Sequence, residues 1–301
     1  MKIAMTIASG DAERLEAQLA FHLNAGVDLM IATGGDLDER VSEILDSYAR
    51  QGHLVRVSGQ SDRPVAELET LTTSLAAVEH GADWLIRAAP TEFWWPRGAS
   101  LKDVLVAVPP RYGVVQALFR RFQARTGAGF FAERMTVRES LVSSHAGKEP
   151  MLDLLRPIQR LVPGSGAHDG QPLRAWYPVE VLQFPLDSGE VAPDQAMQRG
   201  LEDASLIADE RLRDALRTLR EGAGYRLSLD GTSMLTFPLP TVVDDAEYAV
   251  ECAAIGEVDL DRLDQQIRDL EDRIAWLEQR FWPRMLRAGS RLARGRIRRH
   301  S

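Results

Sequence analysis

A carboxylate followed at once by aromatics, Thr91-Glu92-Phe93-Trp94-Trp95-Pro96, stands just beyond a short apolar run, Trp84-Leu85-Ile86. Glu92 is a group that can take up or release a proton, and the indoles of Trp94 and Trp95 offer broad faces to a ring-shaped ligand. The apolar run reads as a buried strand, after which the chain turns at Ala89-Pro90. Ligands of open α/β sheets bind just past the carboxyl ends of the strands, which makes this turn the place for a site. The same aromatics could instead close the end of the core, because such side chains bury large areas.

The elements that would hold this turn come from a regular alternation. Lys2 to Ala8 reads as a strand, and Asp11 to Asn24 as an amphipathic helix with Leu15, Leu19 and Leu23 on one face, closed by Gly26. Val27 to Thr33 is a second strand, apolar enough to be buried on both faces. Asp38 to Gln51 is a helix closed by Gly52, His53 to Ser58 a strand, and Val65 to His80 a helix stopped at Gly81, where a positive φ is expected. Trp84 to Arg87 is the fourth strand. Strand alternating with helix predicts a parallel, doubly wound sheet with helices on both faces. Ser100 to Val108 then reads as a helix, Gly113 to Leu118 as a strand, and Ala192 to Gly222 as charged and helical. Gly224 to Glu257, with Pro238, Pro240 and Asp244-Asp245, is less regular.

The segments G-A-D-W-L-I and E-F-W-W-P resemble the nucleotide-sugar glycosyltransferases of the family 2 group, which have the GT-A fold. The likeness spans roughly Met1 to Ser188 and includes E-I-L-D-S-Y-A-R-Q-G and V-L-Q-F-P-L. It implies a GT-A, Rossmann-like, mostly parallel sheet that binds a nucleoside-diphosphate sugar. In such enzymes a D-x-D pair before the tryptophans holds manganese or magnesium against the diphosphate. Here those positions are Ala89, Pro90 and Thr91, so the resemblance implies a cation whose ligands are not retained.

Other strand ends depart in the same way. The first carries Ser9-Gly10-Asp11 where relatives have R-N-E or similar. The second carries Gly34-Gly35-Asp36-Leu37-Asp38 where they have D-N-G-S-T-D. Asp36 or Asp38 could still reach a nucleotide; alternatively Asp38 caps the next helix. A late His and Arg of the family are Gln183 and Asp187 here; the Gln183 amide could still donate a hydrogen bond to a substrate, but an Asp facing a diphosphate would repel it. His168 and Asp169 survive as catalytic candidates, and Glu92 is the retained carboxylate and candidate base. Arg134 and Arg138 match the family's basic acceptor-side segment, and a guanidinium fork suits a diphosphate. Each of these arginines could equally be a surface partner of Glu133 or Glu139.

The composition sets further bounds. Hydrophobic content of 45% and charged content of 27% in 301 residues suit a chain that buries a substantial core. The lone Cys252 excludes an internal disulfide framework, fits a reducing cytoplasm and cannot form a zinc site. The first residues are too soon interrupted to act as a signal peptide, and no run is long enough to span a membrane. Net charge is −8, but Phe281 to Ser301 holds seven Arg and no acid, leaving 29 basic against 44 acidic residues before it. An acidic body disfavours nucleic acid, and the basic tail could meet an anionic membrane at its inner face. Leu260, Leu263, Ile267, Leu270, Ile274, Leu277 and Phe281 form an a/d seam, expected to pair with a second copy or another chain.

The expected organisation is therefore a GT-A-like domain over residues 1–190, a helical and irregular extension over 191–257, a coiled-coil helix over 258–282 and a basic tail over 283–301. The functions weighed are a divergent glycosyltransferase with weak or absent metal-dependent transfer, and a non-catalytic subunit that binds a partner through its coiled coil. A sugar-binding protein whose tryptophans stack on its ligand is the third.

Overall fold

The computed structural model describes residues 1–8, 10–34, 38–57, 64–123, 125, 127–140, 155–174, 176–185 and 206–223. The chain divides into two bodies, Met1–Cys252 and Ala253–Ser301. The second body, with the heptad seam and the basic tail, lies outside the described residues, as do Asp36 and Asp187.

The first half follows the predicted alternation: β1 (Ile3–Ala8), α1 (Ala12–Asn24), β2 (Leu29–Thr33), α2 (Glu39–Arg50), β3 (Leu54–Val57), α3 (Val65–Ser74) and β4 (Trp84–Ala88). A π-helical turn, Leu75–Glu79, extends α3. These strands pair in parallel in the order β3-β2-β1-β4, with Thr6 opposite both Ile31 and Arg87. Alternation along β1 explains the two layers. Ile3, Met5 and Ile7 join one core with Leu15, Leu19, Ile44 and Tyr48 of α1 and α2. Ala4 joins another with Leu29, Leu85, Ala76 and Ala77 on the face covered by α3. Gly81 closes the third helix at φ +62°, a conformation that glycine adopts without steric cost.

The second half is mixed. It comprises β5 (Glu92–Pro96), α4 (Leu101–Val106), β6 (Tyr112–Arg121), α5 (Phe131–Arg134), β7 (Val137–Glu139), β8 (Leu155–Val162), β9 (Gly166–Ala167), β10 (Gln171–Leu173), β11 (Val179–Gln183), β12 (Leu206–Ala208) and α6 (Arg211–Ala223). The sheet continues as β4-β8-β6-β11-β5. Within it β8 is antiparallel to both β4 and β6, and β5 is antiparallel to β11. A small second sheet pairs β7 with β12. The whole is mixed α/β with a mostly parallel sheet. Among the described residues no helix is long and apolar enough to cross a membrane.

Glu92 to Pro96, whose aromatics could be displayed or could close the core, is strand β5, buried along all five residues. Its partner β11 covers one edge, and α1 packs Phe21 against Trp95 at 5.6 Å between ring centroids. The stretch after 190 is not uniformly helical, since residues 206–208 form β12 and the helix begins at Arg211. That helix places Leu212, Leu216 and Leu219 in the main core.

Candidate functional site

The site is best built from the carboxyl ends of β1 and β4. Asp11 caps α1 by accepting the Arg14 N–H at 2.9 Å. That fixes Arg14 in the first turn of α1. Its buried guanidinium lies 4.8 Å from the Phe131 ring centroid and donates to the carbonyls of Phe184 (2.6 Å) and Pro185 (3.0 Å). One turn further on, the buried Gln18 amide donates to the carbonyls of Ala89 (2.7 Å) and Glu92 (2.9 Å). The Phe184 N–H donates to the Thr91 carbonyl at 2.8 Å. Gly10 sits so near the turn that a Cβ there would lie 3.0 Å from Cβ of Pro90. Three segments far apart in sequence, 10–14, 89–92 and 183–185, therefore meet at one place.

Glu92 closes this turn on itself. Its N–H donates to the Ala89 carbonyl at 3.0 Å, and its Oε2 accepts the Ala89 N–H at 3.0 Å. Its Oε1 accepts from Arg156 Nε at 3.3 Å, and Arg156 in turn lies 4.1 Å from the Phe119 ring centroid. A general base must come within hydrogen-bond reach of the proton it takes. Glu92 is 5% exposed and both its oxygens are committed to the fold, so in this state it holds the turn rather than facing a substrate.

The same geometry tests the divalent cation that the resemblance implies. Such ions take several oxygen ligands, usually carboxylates. Ala89, Pro90 and Thr91 offer no carboxylate, and the adjacent one of Glu92 is faced by a guanidinium. Among the described residues no three His, Cys, Asp or Glu side chains stand close enough to hold a metal. The residues at this turn do not fit the ion.

Gln18 is the tie most open to test. Truncation in Gln18→Ala takes the side-chain donor from the Glu92 carbonyl and leaves the Ala89 carbonyl with the Glu92 N–H alone, and a buried polar group stripped of a partner costs about 1–3 kcal/mol. The variant is expected to lose that much in urea unfolding, with faster hydrogen exchange over residues 89–92.

The remaining candidates fall in several places. Gln183 ends β11 opposite Glu92, half-buried at the convergence, and its carbonyl accepts the Phe122 N–H. Asp38 is the helix cap, its Oδ1 accepting the Arg40 N–H at 2.7 Å. Trp94 and Trp95 are fully buried, so neither presents a face on which a sugar could stack; they belong to the core. The Trp94 backbone N–H donates to Nε2 of the equally buried His22 at 2.9 Å. Burial pushes the His22 imidazole down to about 3, and it stays neutral.

His168 and Asp169 do not join Glu92. The His168 N–H donates to the Arg160 carbonyl, and Arg160 is opposite Trp84 at the start of β4. Arg156, beside Glu92, is four residues away along β8, about 13 Å at the rise of a strand. His168 therefore lies toward the opposite end of the sheet, packed so tightly on Gly113 that a Cβ there would meet the His168 carbonyl at 2.8 Å.

Arg134 donates to the carbonyls of Gly129 (3.1 Å) and Arg125 (2.6 Å), tying the loop before α5. Arg138 is buried against Asp209 at 2.9 Å. It belongs to a charge network that sequence reading missed. Glu180, on β11, is fully buried among Arg97 (2.6 Å), Arg120 (3.0 Å) and Arg211 (2.8 Å), while Asp209 links Arg211 (2.6 Å) to Arg138. Burial alone would raise the Glu180 carboxyl, but Arg120, Arg211 and Arg97 together hold it well below the usual carboxylate range. The network docks α6: Arg211 reaches inward between the two acids and lies 5.7 Å from the Trp95 ring centroid.

Neither a protein-family model nor a curated protein matches this sequence. Solved structures with some likeness include TarS residues 1–349 from S. aureus, at 10% identity over 78% of this chain and 76% of that one, with a TM-score of 0.35. A putative glucose-1-phosphate thymidylyltransferase from Bacillus anthracis, in complex with a sucrose, gives 8% identity, 76% and 99% coverage and a TM-score of 0.32. A mannose-1-phosphate geranyltransferase from Thermus thermophilus gives 15% identity, 80% and 69% coverage and a TM-score of 0.29. Likenesses this faint define neither a family nor an activity.

The residues that sequence reading overlooked at the turn are Arg14, Gln18 and Arg156. A signal for Gln18 was available, since it lies one turn from Arg14 on the buried side of a clearly amphipathic helix. Arg156 had none, because strand β8 was not recognised.

Proposed function

We propose that this chain is a glycosyltransferase-like protein descended from nucleotide-sugar-dependent sugar transferases, with weak or absent metal-dependent transfer. One observation supports this above the others: three segments that stand where that group carries its donor-binding motifs converge on the Ala89–Glu92 turn, yet among the described residues they bring no cluster of three metal-ligating side chains with them. The frame for a nucleoside diphosphate is kept while the cation's ligands are gone. The positive charge adjoining the turn is that of Arg156, a third exposed, while the buried Arg14 is engaged with the carbonyls of Phe184 and Pro185. In this reading Arg156, rather than Arg134 or Arg138, is the side chain placed to meet a diphosphate, and a guanidinium can do so through paired hydrogen bonds. It would compete there with Glu92, which keeps binding weak.

Titration calorimetry with UDP- and GDP-sugars, with and without manganese, tests the proposal. The expected result is weak binding that manganese leaves unchanged; micromolar binding tightened by the metal would sink it. A second reading, a non-catalytic subunit that pairs through residues 260–281, draws support from Glu92, whose two oxygens are both engaged within the protein. Sedimentation distinguishes it: a chain ending at Glu257 should lose an association that the full chain shows.

A further inference from the structure

On the face of the sheet covered by α3, a groove of about 590 Å³ runs between that helix, β4, β8 and the β8–β9 hairpin. This is the face opposite α1 and the Ala89–Glu92 turn. Ligand sites in proteins commonly occupy about 300–1,000 Å³. Arg87 lines the groove near the end of β4. Its Nη1 donates to Gln159 Oε1 at 3.0 Å and its Nη2 to Thr73 Oγ1 at 2.7 Å. Both partners are neutral, and its Nε is buried with no acceptor. Among the described residues no carboxylate forms an ion pair with it, whereas the other deeply placed arginines of this protein are matched with acids or carbonyls.

A half-buried guanidinium without a matched anion is unfavourably placed. Burial lowers the hold of Arg87 on its proton, and the carboxylate of Glu69, acting at longer range, offsets this only in part. The remaining lining is rich in hydroxyl and amide groups: Thr70, Thr73, Ser74, Ser165 and Gln159, with Glu69 on the rim. A planar fork at the base calls for an oxyanion. A surround of hydroxyls, an amide and one carboxylate acceptor calls for a ligand that carries hydroxyls of its own. We propose that this groove binds a sugar phosphate, its phosphate held by Arg87 and its hydroxyls by the residues of α3 and the hairpin. The inference is independent of the reading of the strand-end turn, and either can fail without the other.

Calorimetry on the full chain with glucose 6-phosphate, inorganic phosphate and glucose tests it. Glucose 6-phosphate is expected to saturate the protein, with inorganic phosphate weaker and glucose silent. Removing the charge in Arg87→Gln should weaken glucose 6-phosphate at least about tenfold, as loss of one member of a buried charged hydrogen bond does. Thr70→Trp, at an exposed position on α3, fills the groove while leaving the guanidinium and the core intact, and should weaken it similarly. Unchanged affinity in either folded variant overturns the proposal. So does glucose or bare phosphate binding as tightly as glucose 6-phosphate, or no glucose 6-phosphate binding into the tens of millimolar.

Discussion

Replacing Glu180 by glutamine is expected to cost the protein about 3–5 kcal/mol, the loss typical when one member of a buried ion pair is removed. The substitution keeps the shape of the side chain and takes away only its charge. What remains is three guanidiniums, those of Arg97, Arg120 and Arg211, converging on a neutral amide. Arg120 is 2% exposed and has no route to water. The expected injury is concentrated where α6 docks, because Arg211 bridges Glu180 and Asp209. Urea unfolding measures the loss, and a change below about 1 kcal/mol, the range of exposed pairs, would show the network to be worth no more than a surface contact. The network also has a pH signature. The Glu180 carboxyl is depressed in the folded state, so its contribution is present above the unfolded value of 4.5 and disappears as pH falls through the folded one.

The second large effect appears at milder acidity. His22 has an ordinary value of 6.5 when unfolded and about 3 when folded. Between those values the unfolded chain binds a proton that the folded chain does not. Stability should therefore fall as pH drops below about 6.5, approaching about 1.4 kcal/mol per pH unit and amounting to several kcal/mol by pH 3. The interval from 6.5 to 4.5 separates His22 from Glu180, whose loss begins lower. In His22→Gln, where an amide oxygen can still accept the Trp94 N–H, the slope over that interval should flatten. A slope identical to that of the unmodified protein would place its origin elsewhere.

These two effects involve residues of very different legibility. The parallel half of the sheet could be read directly, because Gly26, Gly52 and Gly81 mark the ends of helices and the runs between them are apolar on both faces. All three have positive φ in the structure. Strand β8 was hidden because Arg156, Pro157, Gln159 and Arg160 interrupt its apolar positions. Arg156 and Arg160 are there for tertiary reasons: one meets Glu92, and the other lies over Trp84 and donates to the carbonyls of Val108 and Tyr112. That reversal carries His168 toward the end of the sheet away from Glu92, a placement the sequence pattern does not reveal. E-F-W-W-P left open whether its aromatics are displayed or close the core, because it has no alternation and strands covered on both faces show none; the structure has them in the core. The Glu180 network draws on β5's exit, β6, β7, β11 and α6, a set of charges no local spacing could reveal. The convergence of residues 10–14, 89–92 and 183–185 was legible in outline, since strand ends gather ligands in this class of fold. Its inward orientation, with Glu92 turned onto Ala89 and Arg156, was not.

The loss of cation ligands from a preserved frame is the claim on which the functional reading stands. Manganese electron paramagnetic resonance in the presence of UDP tests it most directly, with UDP and manganese alone as the reference. Adding the protein should leave the spectrum of the UDP–manganese mixture as it was. A further protein-dependent loss of that signal, abolished by Glu92→Gln, would contradict it and return Glu92 to the role of a metal ligand.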